Sequence, residues 1–396
     1  MIKKILTTVI GGSALIFTLT AAAVPTITGA PIVVQHLGKV PWPQDDAVTT
    51  PYLTQFVAND INDLHGDVTC DLIISTPGNY HMALRDAMKG RPDLGLTEGL
   101  QEQVKSQFDV TVCWSTSPPI SLEQIPAEDL QFKNIHVKGL PALAMGPGKV
   151  MNKLVSTGMV IGSTRQAFLR NRGNAILVRA DKADSIHNVC DLGGKTRVAT
   201  PNPYLEPGSF GNFSGTIFNV ADQNDFGCDA TELFNGIFSQ DPTQFDLAAF
   251  DNPYDIHRIQ AVFTGSQGYG PGLLNSSTVK KAPKWVASSR IMHRDIPYAL
   301  CHNEADAGVI FYHQAKYLKE TLGATGCALD IVPMGGTATD PQPVPGNKVG
   351  TLFIAKVDGT FPTKVLNARD LIYNFITSSS IWTQILDDHG IDDPTP

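Results

Sequence analysis

Thr196-Arg-Val-Ala199, followed by Thr200-Pro-Asn-Pro-Tyr-Leu-Glu-Pro-Gly-Ser-Phe-Gly-Asn-Phe-Ser-Gly-Thr216, is the stretch whose conformation decides what kind of chain this is. The first four residues read as a short strand. Prolines and glycines then break regular structure as far as Ser209, and Thr216-Ile-Phe-Asn-Val-Ala221 continues as helix. A strand, a turn and a helix that opens on small residues leave backbone N–H groups unpaired at the helix start, where an anion or polar ligand can dock. The same composition equally suits a Pro/Gly surface loop that holds no ligand.

The unit recurs upstream. Cys70-Asp-Leu-Ile-Ile-Ser75 is a short apolar strand, Thr76-Pro-Gly-Asn79 a tight loop, and Tyr80 to Met88 a segment of helical period. Phe108 to Trp114 is a second strand with the polar loop Ser115-Thr-Ser-Pro-Pro119 after it. Ala142-Leu-Ala-Met145 is a third, and Gly146-Pro-Gly148 leads from it into the helix Val150–Val155. Strands that alternate with loop and helix predict an α/β sheet of mainly parallel order, with ligands at the carboxyl ends of the strands. The loops 76–79, 115–119 and 146–148 are expected on one edge.

Further along, Ala175–Ala180 is a fourth strand, Asp184–Leu192 a helical turn, and Thr196–Ala199 the strand that enters the opening stretch. Residues 217–290 predict helices broken by long loops. Arg294–Glu304 is amphipathic, and Ala305–Tyr312 enters a buried strand ending in aromatics. Gly350–Ala355 is a strand, and helices around 361–376 and 379–386 finish the chain.

The 396 residues are 42% hydrophobic and 17% charged, a globular balance with length for two lobes. A net charge of −8 offers no basic face for phosphate backbones, which argues against nucleic acid as a partner. Met1-Ile-Lys-Lys4, an apolar run from Ile5 to Leu19 and Ala21-Ala22-Ala23 match the regions of a secretory signal over 1–23. No cysteine lies beside that cleavage site, so an unlipidated, exported chain in a periplasm or its equivalent is expected. Six cysteines (70, 113, 190, 228, 301 and 327) then act as local staples, and they contain no CxxC pair of the zinc or thioredoxin type.

Several segments, in order, resemble the type II periplasmic substrate-binding proteins of ABC importers, and most closely their molybdate-binding branch. Ala144 to Arg179 is similar to the family's helix and crossing strand, and Asn202-Pro203 through Pro207-Gly208 to its Asn-Pro…Pro-Ala-Gly loop. Glu304-Ala-Asp-Ala-Gly-Val-Ile-Phe-Tyr312 looks like its Glu-Ala-Asp-Ala-Gly-Ile-Val-Tyr strand. Leu366 to Ile391 resembles its closing helices.

The resemblance implies an α/β, two-lobed periplasmic-binding-protein type II fold, each lobe a mainly parallel sheet flanked by helices, with a ligand cleft between the lobes. The expected organisation is an N-terminal extension over 24–66, lobe 1 over 67–174, lobe 2 over 175–340 and a return to lobe 1 over 341–396. By the same resemblance a small oxyanion of molybdate or tungstate type is held by hydroxyls and backbone N–H groups. Asn79 and Ser117 stand in the two loops of lobe 1, Gly208 supplies the backbone donor, and Phe311 or Tyr312 takes the tyrosine position. Thr76, Tyr204 and Ser209 are expected near them. Glu206, in the same loop as Gly208, suits a cationic or amine-bearing ligand instead.

No HExxH, GxSxG, Walker or EF-hand pattern is present, so neither a catalytic residue, a metal nor a cofactor is expected. His302 with His313, and Asp387-Asp388-His389, read as polar surface or cap residues. The function expected is a monomeric solute receptor that closes about a hinge and delivers its ligand to an ABC permease. A receptor for a small organic or metal-chelate ligand, and a secreted enzyme on the same fold, are the alternatives.

Overall fold

The computed structural model describes residues 32–36, 64–66, 69–115, 129–132, 135–138, 140–201, 207–238, 285–287, 292–301, 303, 305–324 and 326–394. The expected signal segment lies outside these residues, as do Ser117, Tyr204 and Glu206 of the expected site.

In chain order the first elements are strands β1 (Ile32–His36), β2 (Leu64–Gly66), β3 (Thr69–Cys70) and β4 (Leu72–Ser75), then helices α1 (His81–Lys89) and α2 (Leu100–Phe108). Strands β5 (Val112–Ser115), β6 (Asp129–Phe132), β7 (Ile135–Lys138) and β8 (Leu143–Pro147) follow, then helix α3 (Gly148–Ser156). The middle of the chain is β9 (Gln166–Asn171), β10 (Asn174–Arg179), β11 (Val198–Thr200), α4 (Pro207–Gln223), α5 (Ala230–Phe238), β12 (Trp285–Ala287) and α6 (Met292–Cys301). It closes with β13 (Ala307–Phe311), α7 (Tyr312–Gly323), β14 (Leu329–Pro333), β15 (Thr351–Lys356), α8 (Thr363–Ser378), α9 (Ser380–Asp388) and β16 (Ile391–Asp392).

These strands form two principal sheets, one for each lobe of an α/β fold. The seven-stranded sheet runs β16-β9-β15-β8-β4-β5-β2 and the five-stranded sheet β12-β11-β13-β10-β14. In each, three neighbours run parallel: β8, β4 and β5 in the first, β13, β11 and β12 in the second. In each, the strand beside that trio is antiparallel to it, β15 in the first sheet and β10 in the second. That intruding strand is in both cases the one that has just arrived from the other sheet. Because β8, β4 and β5 are parallel neighbours, their carboxyl ends open on one edge; β4 leads there into the loop 76–79, while β8 takes in Gly146 and Pro147 and passes at Gly148 straight into α3, in place of the loop expected at 146–148. A smaller antiparallel sheet, β3-β1-β7-β6, gathers β1 from the expected N-terminal extension.

Side-chain alternation along β10 shows how lobe 2 is layered. Ile176 and Val178 enter one core with Phe210, Phe213, Ile217 and Phe218 of α4, whereas Ala175 and Leu177 enter another with Ile296 of α6 and Leu318 of α7. Helix α4 begins at Pro207, ahead of the Ser209 boundary read from the sequence. A proline lacks the N–H that the first helical turn leaves unpaired, so it opens a helix as readily as it interrupts one.

The Ala-Asp-Ala-Gly run before Phe311 has a structural use at each polar or small position. Asp306 accepts hydrogen bonds from the Arg197 backbone N–H at 3.0 Å, from Nε at 3.1 Å and from Nη2 at 2.7 Å, pinning the start of β13 to the start of β11. Gly308 lets α6 come close, since a Cβ there would stand 2.4 Å from Ile296 Cγ2. Two disulfides staple lobe 2 locally: Cys190–Cys228 ties the turn before β11 to the entry of α5, and Cys301–Cys327 ties the end of α6 to the approach to β14.

Burial alone would raise the Asp306 carboxyl, but the Arg197 hydrogen bonds and charge hold it below its usual range. The stabilisation is therefore present above the ordinary aspartate value and is lost as pH falls through the depressed one. Asp306→Asn should cost about 1–3 kcal/mol in urea unfolding at pH 7, with the gap to wild type narrowing as the pH is lowered toward 3. A gap that stays constant with pH would show that the ion pair contributes nothing.

Candidate ligand site between the lobes

Two segments connect the principal sheets among the described residues. Arg172-Gly173 carries the chain from β9 to β10, and residues 334–350 bring it back from β14 to β15. One side chain holds both. Asn171, at 2% exposure, accepts through Oδ1 from the Gly173 N–H at 3.0 Å and from the Gly350 N–H at 3.1 Å, and its Nδ2 donates to the Tyr80 hydroxyl at 3.1 Å.

A second asparagine pair completes the junction. The Asn174 N–H donates to Asn347 Oδ1 at 2.8 Å and Asn347 Nδ2 donates back to the Asn174 carbonyl at 2.9 Å, as two strands would pair. The Asn174 side chain meanwhile donates to Thr216 Oγ1 at 3.0 Å and accepts from Asn212 Nδ2 at 2.9 Å, fastening α4 to the first crossing. Gly173 between them has φ +78°, and a Cβ there would lie 2.8 Å from Asn347 Oδ1, so both conformation and space demand glycine.

Above this junction the lobes meet through rings. Phe311 and His313, at the β13–α7 boundary in lobe 2, lie against Tyr80, at the start of α1 in lobe 1. The His313 ring stacks on Tyr80 at 4.6 Å between centroids and on Phe311 at 5.5 Å, each with an 18° interplanar angle. Its Nε2–H donates to the Asn79 carbonyl at 2.8 Å, which leaves Nδ1 as the unprotonated nitrogen. Nδ1 is buried without a partner. Burial pushes the imidazole down to about 3, opposed by the Asn79 hydrogen bond and assisted by His389, so His313 is neutral while it is enclosed in this arrangement. Burial likewise raises the Tyr80 phenol well above its usual value, against hydrogen bonds from Asn171 and Asn79.

The contact continues along the two helices. Arg85 Nη1 donates to the Tyr317 hydroxyl at 2.9 Å, the His81 ring meets Tyr317 edge-on at 5.4 Å, and Met82 of α1 is buried in the core of lobe 2. Lys316 reaches across to the Asp388 carbonyl, and the Tyr317 ring lies 6.3 Å from that of His389, which within lobe 1 pairs with Asp86 at 3.0 Å.

No protein-family model and no curated protein matches the chain. Among solved structures it is similar to Peb3 from Campylobacter jejuni, at 13% identity over 82% of this chain and 100% of that one, with a TM-score of 0.42. It is also similar to the sulfate-binding protein SubI from Mycobacterium tuberculosis, at 12% identity over 82% and 87% of the two chains and a TM-score of 0.43. Iron-bound HitA from Pseudomonas aeruginosa matches at 11% identity over 80% and 83%, with a TM-score of 0.42.

The residues singled out in the sequence fall as follows. Thr76 and Asn79 stand in the loop after β4, Thr76 buried and Asn79 half-buried. Tyr312 opens α7, buried, with its hydroxyl donating to the Ala338 carbonyl at 3.0 Å and its N–H to the Gly173 carbonyl at 3.0 Å. Gly208 and Ser209 are in the first turn of α4. His313 brings the Asn79 loop to within one residue of Tyr312. The reading of His313 as a polar surface or cap residue is corrected: it has no solvent exposure, because the ring packs against Tyr80 and Phe311 and its one hydrogen bond goes to a backbone carbonyl. His389, by contrast, does cap α9. Asn171, Asn174 and Asn347 were not legible as a group, although an asparagine on each side of Arg172-Gly173 between two apolar runs was a signal for an ordered crossing. Among the described residues no cluster of three or more His, Cys, Asp or Glu could hold a metal.

Asn171→Ala strips a shared acceptor from two crossing amides and a donor from Tyr80, all in a buried setting. A loss of about 2–4 kcal/mol in urea unfolding is expected. A change below about 0.5 kcal/mol would show that water replaces the side chain without cost.

Proposed function

We propose that this chain is an exported solute receptor that takes a small oxyanion of molybdate or tungstate type between its lobes, closes about the two crossings and hands the ligand to a membrane permease. The observation that carries the reading is the junction itself: two sheets of like strand order, joined by two segments that single asparagines hold in register. A body divided in this way moves by rotation of one lobe against the other. The loop after β4 and the start of α3 in lobe 1 and the helix starts of α4 and α7 in lobe 2 are the parts such a rotation brings together.

In this reading lobe 1 spans 67–174, lobe 2 spans 175–340, and 341–396 returns to lobe 1. Thr76, Asn79 and Ser117 from lobe 1 and Tyr204, Gly208, Ser209 and Tyr312 from lobe 2 are the residues this reading assigns to the ligand, and no covalent step is needed. Neutral donors suit an oxyanion, since hydrogen-bond number and geometry select it without a charged side chain. The aromatic contact of Tyr80, Phe311 and His313 favours one second reading, a small organic solute stacked against these rings.

Thermal melting of ligand-depleted protein against molybdate, tungstate, sulfate, phosphate, amino acids, sugars and a metal chelate tests the two readings together. Under the first, an oxyanion raises Tm and small-angle scattering shows compaction at saturation. Asn79→Ala should then weaken that oxyanion by about ten- to a hundredfold in calorimetry. If only organic solutes shift Tm, the second reading stands. If none does, or if the scattering profile is unchanged at saturation, the hinged receptor is wrong.

A further inference from the structure

Among the contacts between the lobes described above, one is made by a side chain that has no solvent exposure and can change its charge. His313 belongs to lobe 2, opening α7 after Tyr312, yet both its stacking partner Tyr80 and its hydrogen-bond partner Asn79 belong to lobe 1. Asn79 lies in the loop that the proposed function assigns to the ligand. We propose that His313 is the positioning residue for that loop and the latch of the cleft: neutral, it holds the Asn79 loop against lobe 2, and protonated, it lets the lobes part and the solute leave.

The geometry makes the two states unequal. With Nε2–H given to the Asn79 carbonyl, the second proton has to arrive on Nδ1, which is buried and has no acceptor to receive it. The ring has no solvent exposure, so a charge there loses its hydration. The groups around it offer no compensation. Tyr80, stacked on the ring, is an uncharged phenol that already bonds Asn171, and Phe311, the second ring beside it, is apolar. His389, at the end of α9, opposes a positive charge on His313. On its own helix Tyr317 is engaged with Arg85 and Lys316 is itself cationic. Asp86, the carboxylate of the neighbouring helix α1, is taken by His389 and Arg91.

Opening the lobes exposes the ring and restores the behaviour of an ordinary histidine. The closed state is therefore favoured at and above neutral pH, and that preference is lost as pH falls below about 6.5. Between an open-state value of about 6.5 and the closed-state value of about 3, the opening equilibrium rises about 30-fold from pH 7.5 to pH 5.0.

The test uses full-length mature protein without ligand, so its result does not depend on which solute the receptor takes. Radius of gyration, and amide exchange at Asn79 and Tyr80 corrected for intrinsic pH dependence, are followed from pH 7.5 to 5.0 in wild type, His313→Gln and His313→Phe. Wild type should expand and lose protection as pH falls. Glutamine keeps a donor for the carbonyl and phenylalanine keeps the stack, and neither titrates, so both variants should show no pH-dependent opening. Equal pH dependence in all three proteins, or none in wild type, overturns the latch. Should the variants fail to fold, the proton resonances of the His313 ring in wild type decide: a midpoint near 6.5 in a protein whose radius does not change would refute it. Failure of the solute panel, by contrast, removes the receptor reading and leaves the latch intact.

Discussion

An amide side chain has one acceptor and one donor group, and Asn171 uses both to hold two separate passes of the chain and one ring. Its oxygen takes the N–H of Gly173 on the outgoing segment and of Gly350 on the returning one, while its nitrogen reaches Tyr80 in lobe 1. Segments between two sheets have no ladder to pair with, and unpaired backbone groups in a buried place are costly. Asparagine resolves this because its side chain has the hydrogen-bonding groups of a peptide unit. Asn174 and Asn347 repeat the device one step further on, pairing side chain to backbone in both directions as a strand would.

The consequence is a junction held in register, with no strand ladder among the described residues joining the two principal sheets. Hydrogen bonds to one side-chain amide fix how far the two passes slide past each other, whereas the sheets on either side share no ladder that resists a turn. Asn174 extends the junction to α4 through Thr216 and Asn212, so the helix that opens on the Pro207-Gly208 turn is tied to the first crossing. Tyr80 extends it the other way, to the loop that carries Asn79.

Burial of polar groups has a different meaning at the two ends of lobe 2. At the start of its strands Asp306 and Arg197 form a partly exposed ion pair with several hydrogen bonds, a fastening that water can still reach. At the other end His313 is fully enclosed with one nitrogen unsatisfied, an arrangement that is tolerated only while the ring stays neutral. The first holds one lobe together and the second lies between two lobes, where a change of charge acts on their separation and not on their folding.

Local pattern carried most of the secondary structure. Apolar runs marked β4, β8, β10 and β13, the first two of them ending in Pro/Gly, because apolar runs and turn chemistry are properties of neighbouring residues. Gln166–Asn171 and Leu329–Pro333 carry weaker patterns, QAFLRN and LDIVP, and were not read as strands; they are sheet members because their neighbours pair with them. Strand polarity also depended on tertiary structure, since a parallel trio with an antiparallel intruder follows from where the chain crosses.

What local sequence determined by itself was an α/β chain with a strand-end loop at 76–79 and a Pro/Gly-broken stretch that runs on into helix beyond Ser209, all set by contacts within a few residues, whereas the two-lobed arrangement was read from the resemblance of several motifs in order. Only the tertiary structure decided that Asn171, Asn174 and Asn347 form one junction and that His313 is a buried bridge between lobes. Those roles rest on partners 91 to 234 positions away in the chain, and no local pattern encodes which distant backbone group an amide or an imidazole will meet.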